Sequence, residues 1–202
     1  IENGIENIEK IGPGEIKEIE PYAKGVEAIR VPVTGIVDYR AMTQKMAELI
    51  KATNSDSQLF YETEVHETFE EDGRAGLVTS KGKFYADRKI FCAGLHSDRL
   101  AKKDGAKSDL RIVGFRGDYY ELSEQGKHKV KHLIYPVPDP NFPFLGVHFT
   151  RMTDGSVECG PNAVFSFKRE GYTKTAFSWQ DTKDALSYPG TWKLFASNVS
   201  KG

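Results

Sequence analysis

Cysteine is nearly absent from this chain. Cys92 and Cys159 are its only thiols, far apart and in apolar, strand-like contexts. They make neither a disulfide framework nor a CxxC metal motif, so a reducing cytoplasm is the expected setting. An excess of either charge is also missing, with 28 Lys and Arg against 29 Asp and Glu and a net charge of -1. Such a balance gives no global pull toward nucleic acid or anionic lipid. No apolar run approaches the ~18 residues of a membrane span. There is no GxGxxG, no GxxxxGK[ST] phosphate loop and no GxSxG elbow. The five histidines, His66, His96, His128, His132 and His148, show no HxH or HExxH spacing, so no metal site is expected. No internal repeat or low-complexity stretch appears. The start at Ile1 has neither the basic region nor the apolar core of a signal peptide. Both ends read as cut, which implies a piece of a longer protein.

What is present is ordinary globular sequence: 202 residues, 39% hydrophobic, with a mean hydropathy of -0.50. That suits one large domain or two small ones. Residues 14–20 read as a short helix stopped by Pro21. Residues 29–33 read as an edge strand because they contain Pro32. Asp38 is a good N-cap for the clearest helix, in which Tyr39, Met42, Met46, Leu49 and Ile50 recur at helical spacing. The polar run 53–57 ends it. Strand-like segments follow at 58–61 and 64–70. Residues 75–79 and 83–86 form a hairpin through Ser80-Lys81-Gly82. Residues 89–93 (KIFCA) read as an apolar strand ending at Gly94, and a helix starts near His96 or Ser97.

Beyond about residue 105 the character changes. Strands are expected at 110–122, 133–137, 145–152 and 156–160, with Gly, Pro and Asp in the turns. Thr153-Asp154-Gly155 is a hairpin signal. Ser178 followed by Asp181 resembles a capping box. Helical sequence runs through Leu186 and again over 191–199. No βαβαβ alternation appears, so the fold class is α+β rather than an autonomous doubly wound domain.

Three groups of residues bear on chemistry. The basic run KHKVKH (127–132) reads as a solvated strand end. Arg116, in an apolar strand beside Gly117, must find an anion or a carbonyl; an internal ion pair and a clamp on a substrate carboxylate are both open. In 132–151, alternation puts Phe144, Gly146, His148 and Thr150 on one face, with Arg151 pointing the other way. A lone strand histidine is a core residue or a base. Tyr135, His148 and Arg151 together would suit an anionic hydroxy acid.

The stretch HLIYPVPDPNFPFLGVHFTRMTDGSVECGPNAVFSFKREGY (132–172) closely resembles the bacterial L-2-hydroxyglutarate oxidases (dehydrogenases) of the D-amino-acid oxidase-like superfamily. GIVDYRAMTQKMAELI (35–50), KIFCAGLHSDRLAK (89–102) and FRGDYYEL (115–122) fit the same family in the same order. The resemblance covers nearly the whole chain. It implies an FAD-binding lobe, α/β in the parent, interleaved with a substrate domain on a mixed, largely antiparallel sheet. Mapped here, residues 1–37 and 107–202 would be substrate domain and 38–106 part of the FAD domain. The family's N-terminal glycine-rich nucleotide turn and its C-terminal segment have no counterpart, so FAD is expected in the full-length parent and not in this piece. Of the cofactor site, Glu64, Val65, Cys92, Ala93 and Gly94 would remain. The resemblance implies hydride transfer from L-2-hydroxyglutarate to flavin, with oxygen or a membrane quinone as acceptor. His148 would be the base, Arg116 and Arg151 carboxylate partners, and Tyr120 and Tyr135 pocket walls. The alternatives are a non-enzymatic α+β binding module, or the same fold acting on glycerol 3-phosphate or an amino acid. The expected location is cytoplasmic, with peripheral contact to the inner membrane as an option. Apolar faces suited to missing lobes would be exposed and prone to self-association.

Overall fold

The computed structural model describes residues 4–140 and 144–198. In chain order the elements are β1 (Glu9–Ile11), α1 (Pro13–Ile19), β2 (Ala28–Arg30), α2 (Tyr39–Thr53), β3 (Val65–Glu71), β4 (Arg74–Thr79) and β5 (Gly82–Ala86). They continue with α3 (Ser97–Lys103), β6 (Phe115–Glu121), β7 (His148–Arg151), β8 (Val157–Phe165), α4 (Trp179–Leu186) and α5 (Pro189–Asn198). Single 3-10 turns lie at Gly94–His96 and Lys127–Lys129. Two units divide the chain: Ile1–Thr53 with Gly117–Ala163, and Asn54–Arg116 with Val164–Gly202. Both β6 and β8 contain a division point.

In the first unit, β1 and β2 pair antiparallel around α1. Pro13 takes the first helical position, where its missing N–H costs nothing. The Glu15 carboxylate accepts the Gly12 N–H at 3.0 Å. β2 stops at Arg30 rather than 33, because Val31–Thr34 forms a turn closed by the Thr34 N–H on the Val31 carbonyl. Asp38 caps α2 as expected: its Oδ1 accepts from the Arg40 and Ala41 N–H groups at 2.9 and 3.0 Å. No residue of α2 is buried.

The sheet order of the remaining strands is β6–β8–β7. β7 and β8 pair antiparallel from His148↔Gly160 to Arg151↔Val157. Their turn is the expected Thr153-Asp154-Gly155, with Gly155 at φ +88 and Asp154 Oδ1 accepting from the Ser156 N–H and hydroxyl. Three expected strands are shorter or absent. Residues 110–122 contract to β6 and 145–152 to β7, while 133–137 keeps one bridge, Ile134 to Phe149. Prolines at 136 and 138 remove the donors a ladder would need there. β8 instead runs on to Phe165. Residues 141–143 of the proline-rich connection lie outside the described residues. The KHKVKH run begins as a 3-10 turn, not a strand end, and its Val130 is buried.

In the second unit, β3, β4 and β5 form an antiparallel meander. Gly82, at φ +114, closes the expected β4–β5 hairpin. Gly76 is required for packing: a Cβ there would lie 2.3 Å from the Phe69 ring. Residues 58–61 and 89–93 are not strands. A strand exists only where another backbone pairs with it, and among the described residues none runs beside either segment. α3 begins where expected. Ser178 caps α4, its Oγ accepting the Asp181 N–H at 3.3 Å. α5 is entered at Pro189; its expected last residue, Val199, lies outside the described residues. A chain of edge-on rings, Phe115–Phe165–Phe195–Trp192, knits the start of β6, the end of β8 and α5 within this unit. The fold class is α+β, as read from the sequence.

Candidate functional site

His148 begins β7 and is buried, 6% exposed. Its Nδ1 lies 3.0 Å from the Gly146 carbonyl oxygen. A carbonyl only accepts, so the neutral ring carries its proton on Nδ1 and leaves the Nε2 lone pair bare. Nε2 has no hydrogen-bond partner among the described residues. Tyr135 stacks on the imidazole at 4.5 Å and 20°. Tyr119 meets it edge-on at 6.2 Å. Burial, the Glu158 carboxylate and Tyr135 hold the Tyr119 hydroxyl above the ordinary phenol range.

Glycines make room for this arrangement. Gly160 stands opposite His148 in the β7–β8 register. A Cβ there would lie 2.7 Å from Tyr119 Cδ1 and 3.0 Å from the Asp118 carbonyl oxygen. At Gly146 a Cβ would lie 2.7 Å from Pro136 Cγ. The small residues thus let the Tyr119 ring and the 130–136 segment close on the histidine.

The other residues named from the sequence divide. Tyr135 joins His148. Tyr120 is exposed and, one residue along β6 from Tyr119, points to the opposite face. Tyr119, which carries no separate signal in the sequence, is the β6 tyrosine whose ring meets His148. Arg151 donates from Nη1 to the Val130 carbonyl at 2.8 Å, so it braces the neighbouring segment. Arg116 falls in the second unit, where its Nη1 donates to the Thr173 carbonyl at 2.7 Å.

The five residues expected to remain from a cofactor site all lie in the second unit. Val65, Cys92 and Ala93 line one hollow of about 330 Å³ together with Leu77, Phe84 and Ile90. Gly94, at φ +51, turns the chain into the following 3-10 turn. The Glu64 N–H is already committed to Ser80 Oγ at 3.0 Å. The apolar part of this wall suits a flat ring, and the cationic residues Arg88 and Lys89 complete the lining. No group of residues able to hold a metal ion occurs among the described residues.

An ionic network in the second unit was not anticipated. Arg169, 7% exposed, holds both oxygens of Asp98 and the carbonyls of Leu95 and Ile112. Asp181 accepts the Arg169 N–H, and Arg99 bridges Asp181 and Asp184 at 2.6 Å each. These bonds tie α3 to α4.

Solved structures share this architecture. A glycine oxidase from Bacillus cereus matches with a TM-score of 0.60 and 18% identity, over 93% of this chain and 48% of that one. An L-alpha-glycerophosphate oxidase from Mycoplasma pneumoniae, solved with FAD bound, matches with a TM-score of 0.65 and 22% identity, over 95% and 49%. The fold is that of FAD-dependent oxidoreductases. Residues 1–188 match the FAD dependent oxidoreductase (DAO) family, and the chain belongs to it. Relatives named L-2-hydroxyglutarate dehydrogenase are 46% identical in Indibacter alkaliphilus, over 96% of this chain and 48% of the relative. They are 42% identical in Escherichia coli K12, over 99% and 47%, and 40% identical in the human mitochondrial protein, over 100% and 46%. The chain spans about half the length of the curated relatives it matches. No helix among the described residues is long and apolar enough to cross a membrane.

Proposed function

We propose that this chain is the substrate-holding part, with a portion of the flavin wall, of an enzyme that oxidises L-2-hydroxyglutarate to 2-oxoglutarate. The observation that carries the reading is identity of 40–46%, in matches that cover 96–100% of the chain, to bacterial and animal proteins named L-2-hydroxyglutarate dehydrogenase. His148 is the base. Its bare Nε2 takes the proton of the substrate's secondary hydroxyl while Nδ1–H stays on Gly146, which fixes the ring. Tyr119 and Tyr135 pack against the imidazole, one edge-on and one stacked, and hold its plane. FAD, when bound, supplies the two-electron acceptor; Val65, Cys92 and Ala93 are the residues here that would border it. Arg151 is a brace for the 130–136 segment. The carboxylate role of Arg116 is a separate proposal, tested by a raised KM in Arg116→Lys.

The test uses the full-length polypeptide loaded with FAD. Anaerobic mixing with L-2-hydroxyglutarate should bleach the flavin, and glycine or glycerol 3-phosphate should not. Bleaching by one of those alone would assign the fold another substrate. A protein that binds no FAD would point to a non-catalytic module.

A further inference from the structure

We propose that Glu20, far from His148 in sequence, is a positioning residue for the Tyr135–His148 pair. The inference rests on His148 as the proton acceptor and extends it to what holds that histidine in place.

Glu20 ends α1 and is 6% exposed. A buried carboxylate needs donors on its oxygens. All those seen come from two consecutive residues. The Lys131 N–H reaches both oxygens at 3.0 and 3.1 Å, and the His132 N–H and Nδ1 reach Oε1 at 2.6 and 2.8 Å. One side chain thus pins the start of a segment that has little regular structure of its own.

The rest of that segment lies along 146–151. The Val130 carbonyl accepts from Arg151. Ile134 exchanges both backbone bonds with Phe149, at 3.0 and 2.9 Å. Tyr135 stacks on His148. Pro136 occupies the space that a side chain at Gly146 would need, and the Gly146 carbonyl fixes the His148 tautomer. Glu20 therefore sets the register in which Tyr135 meets the imidazole, without touching either ring. Removing it leaves the Lys131 and His132 N–H groups without their acceptor, and leaves the Arg151 bond to Val130 to hold that end of the segment.

The experiment compares Glu20→Ala, Glu20→Gln and Glu20→Asp in the FAD-loaded full-length enzyme, with Asp98→Asn as a control that removes a buried charge elsewhere. Glu20→Ala should lower kcat for L-2-hydroxyglutarate by about tenfold to a hundredfold at unchanged flavin content. Glu20→Gln keeps an oxygen at the Oε1 position and should recover most of that loss. Without substrate, the His148 Cε1–H resonance, shifted upfield by the Tyr135 ring, should move downfield in Glu20→Ala and stay put in Asp98→Asn. Unchanged kcat and an unmoved resonance in Glu20→Ala would overturn the proposal. If Glu20→Ala does not fold, Glu20→Asp draws the carboxylate back by one methylene, and unchanged values there overturn it equally. If the wild type does not oxidise L-2-hydroxyglutarate, the functional reading falls and the resonance alone decides the role of Glu20.

Discussion

His148 shows how much a residue's chemistry depends on the backbone around it. A bare imidazole offers two nitrogens of similar basicity; the Gly146 carbonyl takes one and leaves the other as acceptor. His148→Gln keeps a polar group of related shape without an imidazole. In the full-length enzyme it should lower kcat by about 10²–10⁴ while flavin stays bound, and an unchanged rate would remove the histidine from the chemistry. The opposing glycine is as restrictive. Gly160→Ala would drive its methyl against Tyr119 Cδ1 and the Asp118 carbonyl oxygen. Cδ1 and Cγ lie at the base of the ring and the carbonyl is backbone, so neither yields cheaply. We expect a loss of about 1–3 kcal/mol, read as a lower midpoint in urea.

Among the elements, α3 and α4 are joined by a network of charged side chains. Burial pushes the Asp98 carboxyl up, but bonds from Arg169 and from the N–H groups of Ile112 and Arg99 outweigh it and bring the pKa down to about 2, from an ordinary 3.8. The folded state thus binds this proton less readily than the unfolded chain. The stabilisation is complete above the ordinary value and is lost as pH falls from about 4 toward 2, amounting to about 2 kcal/mol. Asp98→Asn should therefore lose stability near neutrality and show a flatter acid limb, measured by urea midpoints across that window. None of this was legible in the sequence, because Asp98 and Arg169 carry no local signal of each other. What was legible is local chemistry: the caps Asp38 and Ser178, the turns at Gly82 and Gly155, and the helical stripe of α2. Period 2 in FRGDYYEL is visible in the sequence, but its phase is not, and it is Tyr119 whose ring meets His148. KIFCA has strand composition, yet pairing is a property of two backbones. Glu20 is hidden for the same reason as Asp98: its partners are distant in the chain.

For the molecule as a whole, the outward face of α2 has the largest consequence. Tyr39, Met42, Met46, Leu49 and Ile50 fall on one helical stripe, and all five are exposed, Met46 and Leu49 by more than half. Ile36 and Val37 extend the apolar surface at the helix entry. Isolated apolar residues on a surface need no account, but a contiguous stripe over about three turns favours association. The charge offers no counterweight, since a net charge of -1 gives copies of the chain almost no mutual repulsion. The 202-residue chain studied alone should therefore self-associate with rising concentration, seen as a growing sedimentation coefficient. Met46→Lys with Leu49→Lys places two ammonium groups in the middle of the stripe. It should shift the chain toward monomer without changing its helix content, because lysine propagates a helix about as well as methionine or leucine. A wild-type chain that stays monomeric at the highest attainable concentration would show that the stripe is not sticky enough to act, and a double variant that still associates would place the contact on another surface.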